Sequence, residues 1–109
     1  GASSMIRAHS TTKTGASFSE TTRIAVWNKA KVVSGHDADK TRQDSCGAWM
    51  DWNQYGVTVS NGTGWEIDHI VPVSQGGSDD LSNLQPLQWE NNRFKGDDWP
   101  NWSCMTSAK

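Results

Sequence analysis

The sequence predicts a small α+β domain. Two short strands flank a polar loop and lead into a short helix. A helix precedes this unit and a Trp-rich tail follows it. Three observations carry the prediction. Apolar and polar residues alternate from Trp65 through Ile67 to His69, the period of a strand, before the apolar Ile70, Val71 and Val73. Gly76-Gly77 and Asn83 then mark a turn-rich loop before Leu84-Gln85. From Leu87 to Lys95 the spacing turns helical, and Gly96 supplies a stop.

Each element follows in chain order. Residues 1–17 are rich in Ser, Thr and Gly and read as a flexible lead-in. Gly1 to Ser4, ahead of Met5, read as a cloning remnant, and His9 as inert. Residues 18–109 read as a single domain. Ser19 suits a helix N-cap and Glu20 the positive end of the dipole. Ile24, Trp27, Ala30 and Lys31 recur at helical spacing, so the helix is expected to run to Gly35. Residues 36–47 read as a polar connection, and His36, Asp37 and Asp39 as ordinary loop residues. Residues 48–60 suggest short strands or irregular hairpin pieces around Tyr55-Gly56. Asn61-Gly62-Thr63-Gly64 is a turn signal. Leu84-Gln85 reads as the return strand and Pro86 as the first position of the second helix. Leu87, Asn91 and Phe94 would share one face of that helix. The tail, with Trp99, Trp102 and Cys104, is expected to pack on the domain.

Composition narrows the classes. Leu, Ile, Val and Phe total only 16 of 109 residues. That would suggest disorder at high net charge, but the net charge is −2. Seven Trp supply the missing apolar area, at roughly 150–250 Å² per buried aromatic. No apolar run approaches the ~20 residues of a membrane-spanning helix. Residues 1–18 lack the apolar centre of a signal peptide. A cytoplasmic location is the default reading, although a domain cut from an exported protein would look the same. Cys46 and Cys104 are the only cysteines. Reduced, partly buried thiols are the simpler reading, and a disulfide is the alternative if the tail folds back.

The sharpest chemistry lies in residues 65–97. Phosphodiester hydrolysis needs a nucleophilic water, a base for its proton and charge at the leaving oxygen. His69 is a candidate base, since imidazole titrates near neutral pH. Asp68, on the other face of the strand, is a candidate metal ligand. A helix facing the strands would bring an amide oxygen, from Asn91 or Asn92. Both share a helix face with Lys95, so periodicity leaves the choice open. Arg93 and Lys95 are candidates for phosphate contact, or else a solvated face. Asp79-Asp80 read as ordinary loop residues, and Arg42 and Asp44 as a structural pair. A pI near 5.8 is low for a nucleic-acid enzyme. Basic residues cluster locally, however, at Arg23, Lys29, Lys31, Lys40 and Arg42.

Asp68-His69-Ile70 with Pro72, Gly76-Gly77, Ser82-Asn83-Leu84-Gln85-Pro86-Leu87 and Asn92-Arg93 with Lys95-Gly96-Asp97 stand in a fixed order. In that order and spacing the stretch resembles the HNH endonuclease family, also called His-Me finger nucleases. The resemblance covers about a third of the chain and reaches back weakly to Cys46. It implies a ββα-metal core and a metal-dependent endonuclease acting on DNA. It implies His69 as general base, Asp68 and Asn92 as metal ligands, and Asn83 as a brace for the loop. The Asn-Arg-x-Lys-Gly register favours Asn92 over Asn91. Family products usually carry a 5′-phosphate and a 3′-hydroxyl. Many relatives hold a structural zinc with four cysteines. The corresponding positions here are Cys46, Trp49, Gln88 and Asn91, so that zinc is not expected. Trp packing, including Trp49, is expected in its place. An oxygen-only ligand pair suits Mg²⁺, with Mn²⁺ as a substitute. A catalytically silent nucleic-acid-binding module of the same fold is the alternative. A Trp-rich glycan-binding domain is a weaker one, since it gives Asp68, His69 and Asn92 no role. Near-neutral charge and small size leave room for a targeting domain or protein partner.

Overall fold

Ser19 starts the first helix by accepting a hydrogen bond from the Thr22 amide through its side chain. This helix, α1, spans Glu20–Trp27 in the computed structural model, which describes residues 7–108. It is shorter than the spacing suggested. Lys29 and Ala30 close tight turns back to Val26 and Trp27. Lys31 then exchanges both backbone hydrogen bonds with Gln43, at 2.8 and 3.0 Å. That pairing takes the chain out of the helix well before Gly35. Gln43 belongs to β1 (Thr41–Gln43), a strand inside the stretch expected to be a plain connection. It pairs antiparallel with β2 (Trp49–Asp51).

The second sheet pairs β3 (Trp65–His69) antiparallel with β4 (Leu84–Gln88), placing Trp65 opposite Gln88 and His69 opposite Leu84. Pro86 lies inside β4 rather than at a helix start. It sits opposite Ile67, whose amide donates outward to Ser10 Oγ at 2.8 Å. The pair therefore occupies a position where neither amide faces the partner strand, and the missing proline donor costs nothing. The second helix, α2, consequently begins later, at Trp89–Lys95. Gln88 caps it, its side chain accepting from the amides of Glu90 and Asn91. Gly96 ends it at φ 54°. Phe94 is exposed and does not share a buried face with Leu87.

Aromatic packing fills the centre. Trp27, Trp52, Tyr55 and Trp65 meet with ring centroids 4.8–5.7 Å apart. Phe18, Val26, Met50, Ile67 and Leu84 complete the core. Every residue of β3 is buried, because both of its faces are covered. No helix among the described residues is long and apolar enough to cross a membrane.

Two expectations about the positions matching the family's zinc cysteines are corrected. Cys46 and Cys104 are not free thiols but form a disulfide. Trp49 does not stand in for a zinc ligand in the core; it packs on His36, with centroids 4.6 Å apart. A buried carboxylate organises this end of the molecule instead. Asp44 accepts from the amides of Cys46 and Ala48, both at 2.9 Å. Its second oxygen accepts from the Gln88 amide at 2.9 Å and from Asn91 Nδ2 at 3.0 Å. Asn91 Oδ1 then accepts from the amides of Met105 and Thr106. The tail is thus held by the disulfide and backbone hydrogen bonds, while Trp99 remains exposed. Arg42 does not pair with Asp44; its guanidinium reaches the carbonyls of Ala38, Trp27 and Ala30. The suggested cloning remnant, Gly1 to Ser4, lies outside the described residues. Of the lead-in, Ser10 contacts Ile67 and Tyr55, and Lys13 contacts Asp79.

Candidate active site

The end of β3 sets the site. Alternation along the strand sends Glu66 and Asp68 to one face, towards α2. His69 turns the other way. The next two amides are claimed by Asn83, which controls the connector. Its backbone carbonyl accepts from Ile70 and its Oδ1 accepts from Val71, both at 2.8 Å. Its Nδ2 donates to the carbonyls of Val71 and Ser78. Gly76 and Gly77 allow this compact path for two different reasons. Gly76 adopts φ 89°, in the left-handed region. A Cβ on Gly77 would lie 1.7 Å from the Val71 oxygen.

His69 is buried, and its Nε2 lies 2.7 Å from Asp79 Oδ1. An ionised carboxylate only accepts, so Nε2–H is the donor in this contact, and Nδ1 is the other ring nitrogen. No donor or acceptor among the described residues engages Nδ1. Asp79 is held in turn by the Lys13 amide, at 3.0 and 3.2 Å. Asp79 was not separable in the sequence from any acidic loop residue.

Asp68 is buried against Gln85 and Lys95. Its Oδ2 accepts from Gln85 Nε2 at 2.9 Å, and Lys95 Nζ stands 3.3 Å from the carboxylate. Burial raises its pKa above the ordinary value, and the contacts from Gln85 and Lys95 pull against that rise without cancelling it. Lys95 is therefore not on the surface where a phosphate contact was expected. Its ammonium is fully enclosed, donating to Asp68 and to the His69 carbonyl at 3.1 Å.

Asn92 is fixed by Glu66. Its Nδ2 donates to Glu66 Oε1 at 2.8 Å, which leaves Oδ1 as the free end of the amide. No donor among the described residues reaches that oxygen. Glu66 also takes two hydrogen bonds from Arg93, at 3.1 and 2.9 Å, and these raise the arginine pKa. Glu66 is the second residue the sequence did not single out. Its place two residues before Asp68, hence on the same strand face, was the available signal. Asn91 is consumed by Asp44 and the tail, as described above.

Asp68, His69 and Asn92 line one cleft of about 270 Å³, together with Arg7, His9 and Asp97. Among the described residues no cluster of three or more His, Cys, Asp or Glu is arranged to hold a metal. The candidate donors are a carboxylate and an amide oxygen. Both are hard, and the amide is turned with its oxygen available, so they fit a cation such as Mg²⁺ or Mn²⁺. Nothing in this pair favours a soft metal.

Comparison with known families adds an independent observation. The model of the HNH endonuclease family matches residues 52–102, a little under half of the chain. The match takes in all of β3, β4 and α2. No curated protein and no solved structure matches the chain. The matched segment carries Asp68, His69, Asn83 and Asn92, and it implies an activity of the nuclease type. Over residues 52–102 the chain is thus similar to the HNH endonuclease family.

Proposed function

We propose that the chain is a divalent-metal-dependent endonuclease that hydrolyses DNA phosphodiester bonds on a ββα-metal core. One observation carries the reading. Asp68, His69 and Asn92 line a single cleft, and Asp79 engages His69 through Nε2, leaving Nδ1 without a partner among the described residues.

In this reading His69 Nδ1 takes a proton from the attacking water. Asp79 accepts from Nε2–H, keeps the ring in that tautomer and stabilises the imidazolium that forms. The water oxygen forms a bond to phosphorus as the bond to the 3′ oxygen breaks. The products carry a 5′-phosphate and a 3′-hydroxyl. Asp68 and Asn92 would hold one Mg²⁺, or Mn²⁺ as a substitute. Such an ion, when bound, supplies positive charge that stabilises the developing charge on the leaving oxygen. Glu66 turns the Asn92 oxygen to the cleft. Lys95 balances the buried Asp68 carboxylate from behind. Arg93 keeps part of its guanidinium exposed, its side chain being 38% accessible, and contacts a substrate phosphate. Asn83 braces the connector that carries His69.

Plasmid nicking tests this. Purified protein with Mg²⁺ should nick supercoiled DNA, and His69→Ala should abolish nicking while retaining its circular-dichroism spectrum. DNA binding without nicking in any divalent metal would instead identify a silent module of the same fold. Full cleavage with Zn²⁺ and none with Mg²⁺ would overturn the oxygen-ligand assignment.

A further inference from the structure

A second groove, of about 580 Å³, shares His9 and Ser10 with the cleft. Its floor includes Arg23, Tyr55, Glu66 and Arg93. Arg23 is unusual among the basic residues. Its guanidinium stacks 4.8 Å from the Tyr55 ring centroid and 5.9 Å from that of Trp52. Stacking of this kind fixes a guanidinium without using its hydrogen bonds. Arg23 Nε is buried and has no hydrogen-bond partner among the described residues. No acceptor among the described residues takes a bond from either Nη. A guanidinium carries five N–H donors, so this one is held in place with its donors unspent. A buried donor left unpaired is costly, because it loses its water without gaining an acceptor.

Among the described residues no acceptor lining the groove takes a bond from Arg23 Nε. The groove's one carboxylate, Glu66, is committed to Asn92 and Arg93. Arg93 itself presents Nη1, the guanidinium nitrogen that Glu66 does not take. Two guanidinium groups thus line a groove that adjoins the candidate active site through the shared His9 and Ser10. Planar donor forks of this kind match the oxygens of a phosphate.

We infer that this groove is a nucleic-acid backbone subsite, in which Arg23, backed by Arg93, binds a DNA phosphate flanking the one at the active site. The inference rests on the nuclease reading for the identity of the substrate. It gives the acidic chain a local cationic track where its overall charge supplies none. It also explains why an arginine sits on the aromatic core edge, where a neutral residue would pack at lower cost.

The test is binding of a fluorescein-labelled DNA duplex, followed by anisotropy in EDTA over a range of NaCl concentrations. Arg23→Met keeps the stem over the rings and removes the charge. It should weaken binding by about tenfold and lower the slope of log Kd against log salt by about 1. Arg23→Lys should restore the salt slope and only part of the affinity, because an ammonium lacks the planar fork. Thermal melting of both variants checks that the aromatic core persists. Unchanged affinity and salt slope in a folded Arg23→Met protein would overturn the subsite. Nicking of plasmid with Mg²⁺ is measured in parallel. Retained nicking with no binding effect of Arg23→Met removes the groove and leaves the nuclease reading standing. A binding effect in a wild-type protein that never nicks does the reverse.

Discussion

Glu66 governs two residues of α2 at once, turning the Asn92 amide and tethering Arg93. Removing it frees both. Glu66→Ala should reduce nicking about 10–100-fold, the usual loss when a residue that orients a ligand is removed. The loss should be recovered in part at high Mg²⁺, which a titration of nicking against metal concentration measures. Asp68 gives a pH prediction. Its pKa is raised in the folded state by burial. Folding therefore takes up a proton between the ordinary carboxylate value and the raised one. The stability that Asp68 contributes is present below its unfolded pKa and is lost as pH rises through its folded pKa. The difference in stability between Asp68→Asn and the parent should accordingly move in favour of the variant as pH rises through that window. Urea denaturation at a series of pH values reads it. Asp68, His69, Asn83 and Asn92 could be singled out in the sequence because their order and spacing are specific. Asp79 was not, because one acidic residue in a Gly-Gly loop resembles any other. Only the fold brings it within 2.7 Å of an imidazole.

At the scale of elements, the connector between β3 and β4 decides where His69 points. Its two glycines are expected to behave differently. Gly76→Ala meets open space and carries only the left-handed backbone cost, about 1 kcal/mol. Gly77→Ala drives a methyl into the Val71 carbonyl and to within 2.9 Å of Asn83 Nδ2. It must break the Asn83 brace, and a loss above about 2 kcal/mol is expected. Chemical denaturation of the two variants checks the contrast. The hairpin itself was readable, since alternation and turn residues are local signals. The helix boundaries were not. Pro86 is compatible with a helix start and equally with an outward-facing strand position. Only the pairing with Ile67 chooses between them. Lys31 likewise leaves helical spacing for a bridge to Gln43, a contact across 12 positions of sequence that no local pattern encodes.

At the scale of the molecule, the disulfide and the Asp44 network hold together what the sequence reading assigned to tryptophans. Trp27, Trp52 and Trp65 do form the core, but Trp49 and Trp99 do not. The bond joins positions 58 apart. A crosslink of that span stabilises by roughly 3–5 kcal/mol in the chain-entropy treatment. The double variant Cys46→Ser, Cys104→Ser should therefore melt at a clearly lower temperature, and dithiothreitol should lower the melting point of the parent to match. Disulfides of this kind persist in oxidising compartments, a point against the cytoplasmic default that composition alone suggested. Two cysteines carry no spacing signal, so their pairing became visible only when the tail was seen returning to Gly47 and Asn91.

That one bond also closes a covalent ring. Everything from β2 through α2, hence Asp68, His69, Asn83 and Asn92, lies inside it. A protease cutting the exposed turn at Ser60-Asn61 would open the ring without releasing either part. The two pieces would stay joined through sulfur, with the β3–β4 pairing intact between its own strands. The site is thereby buffered against a single backbone cut between Cys46 and Trp65, and separation of the pieces so made requires a reductant.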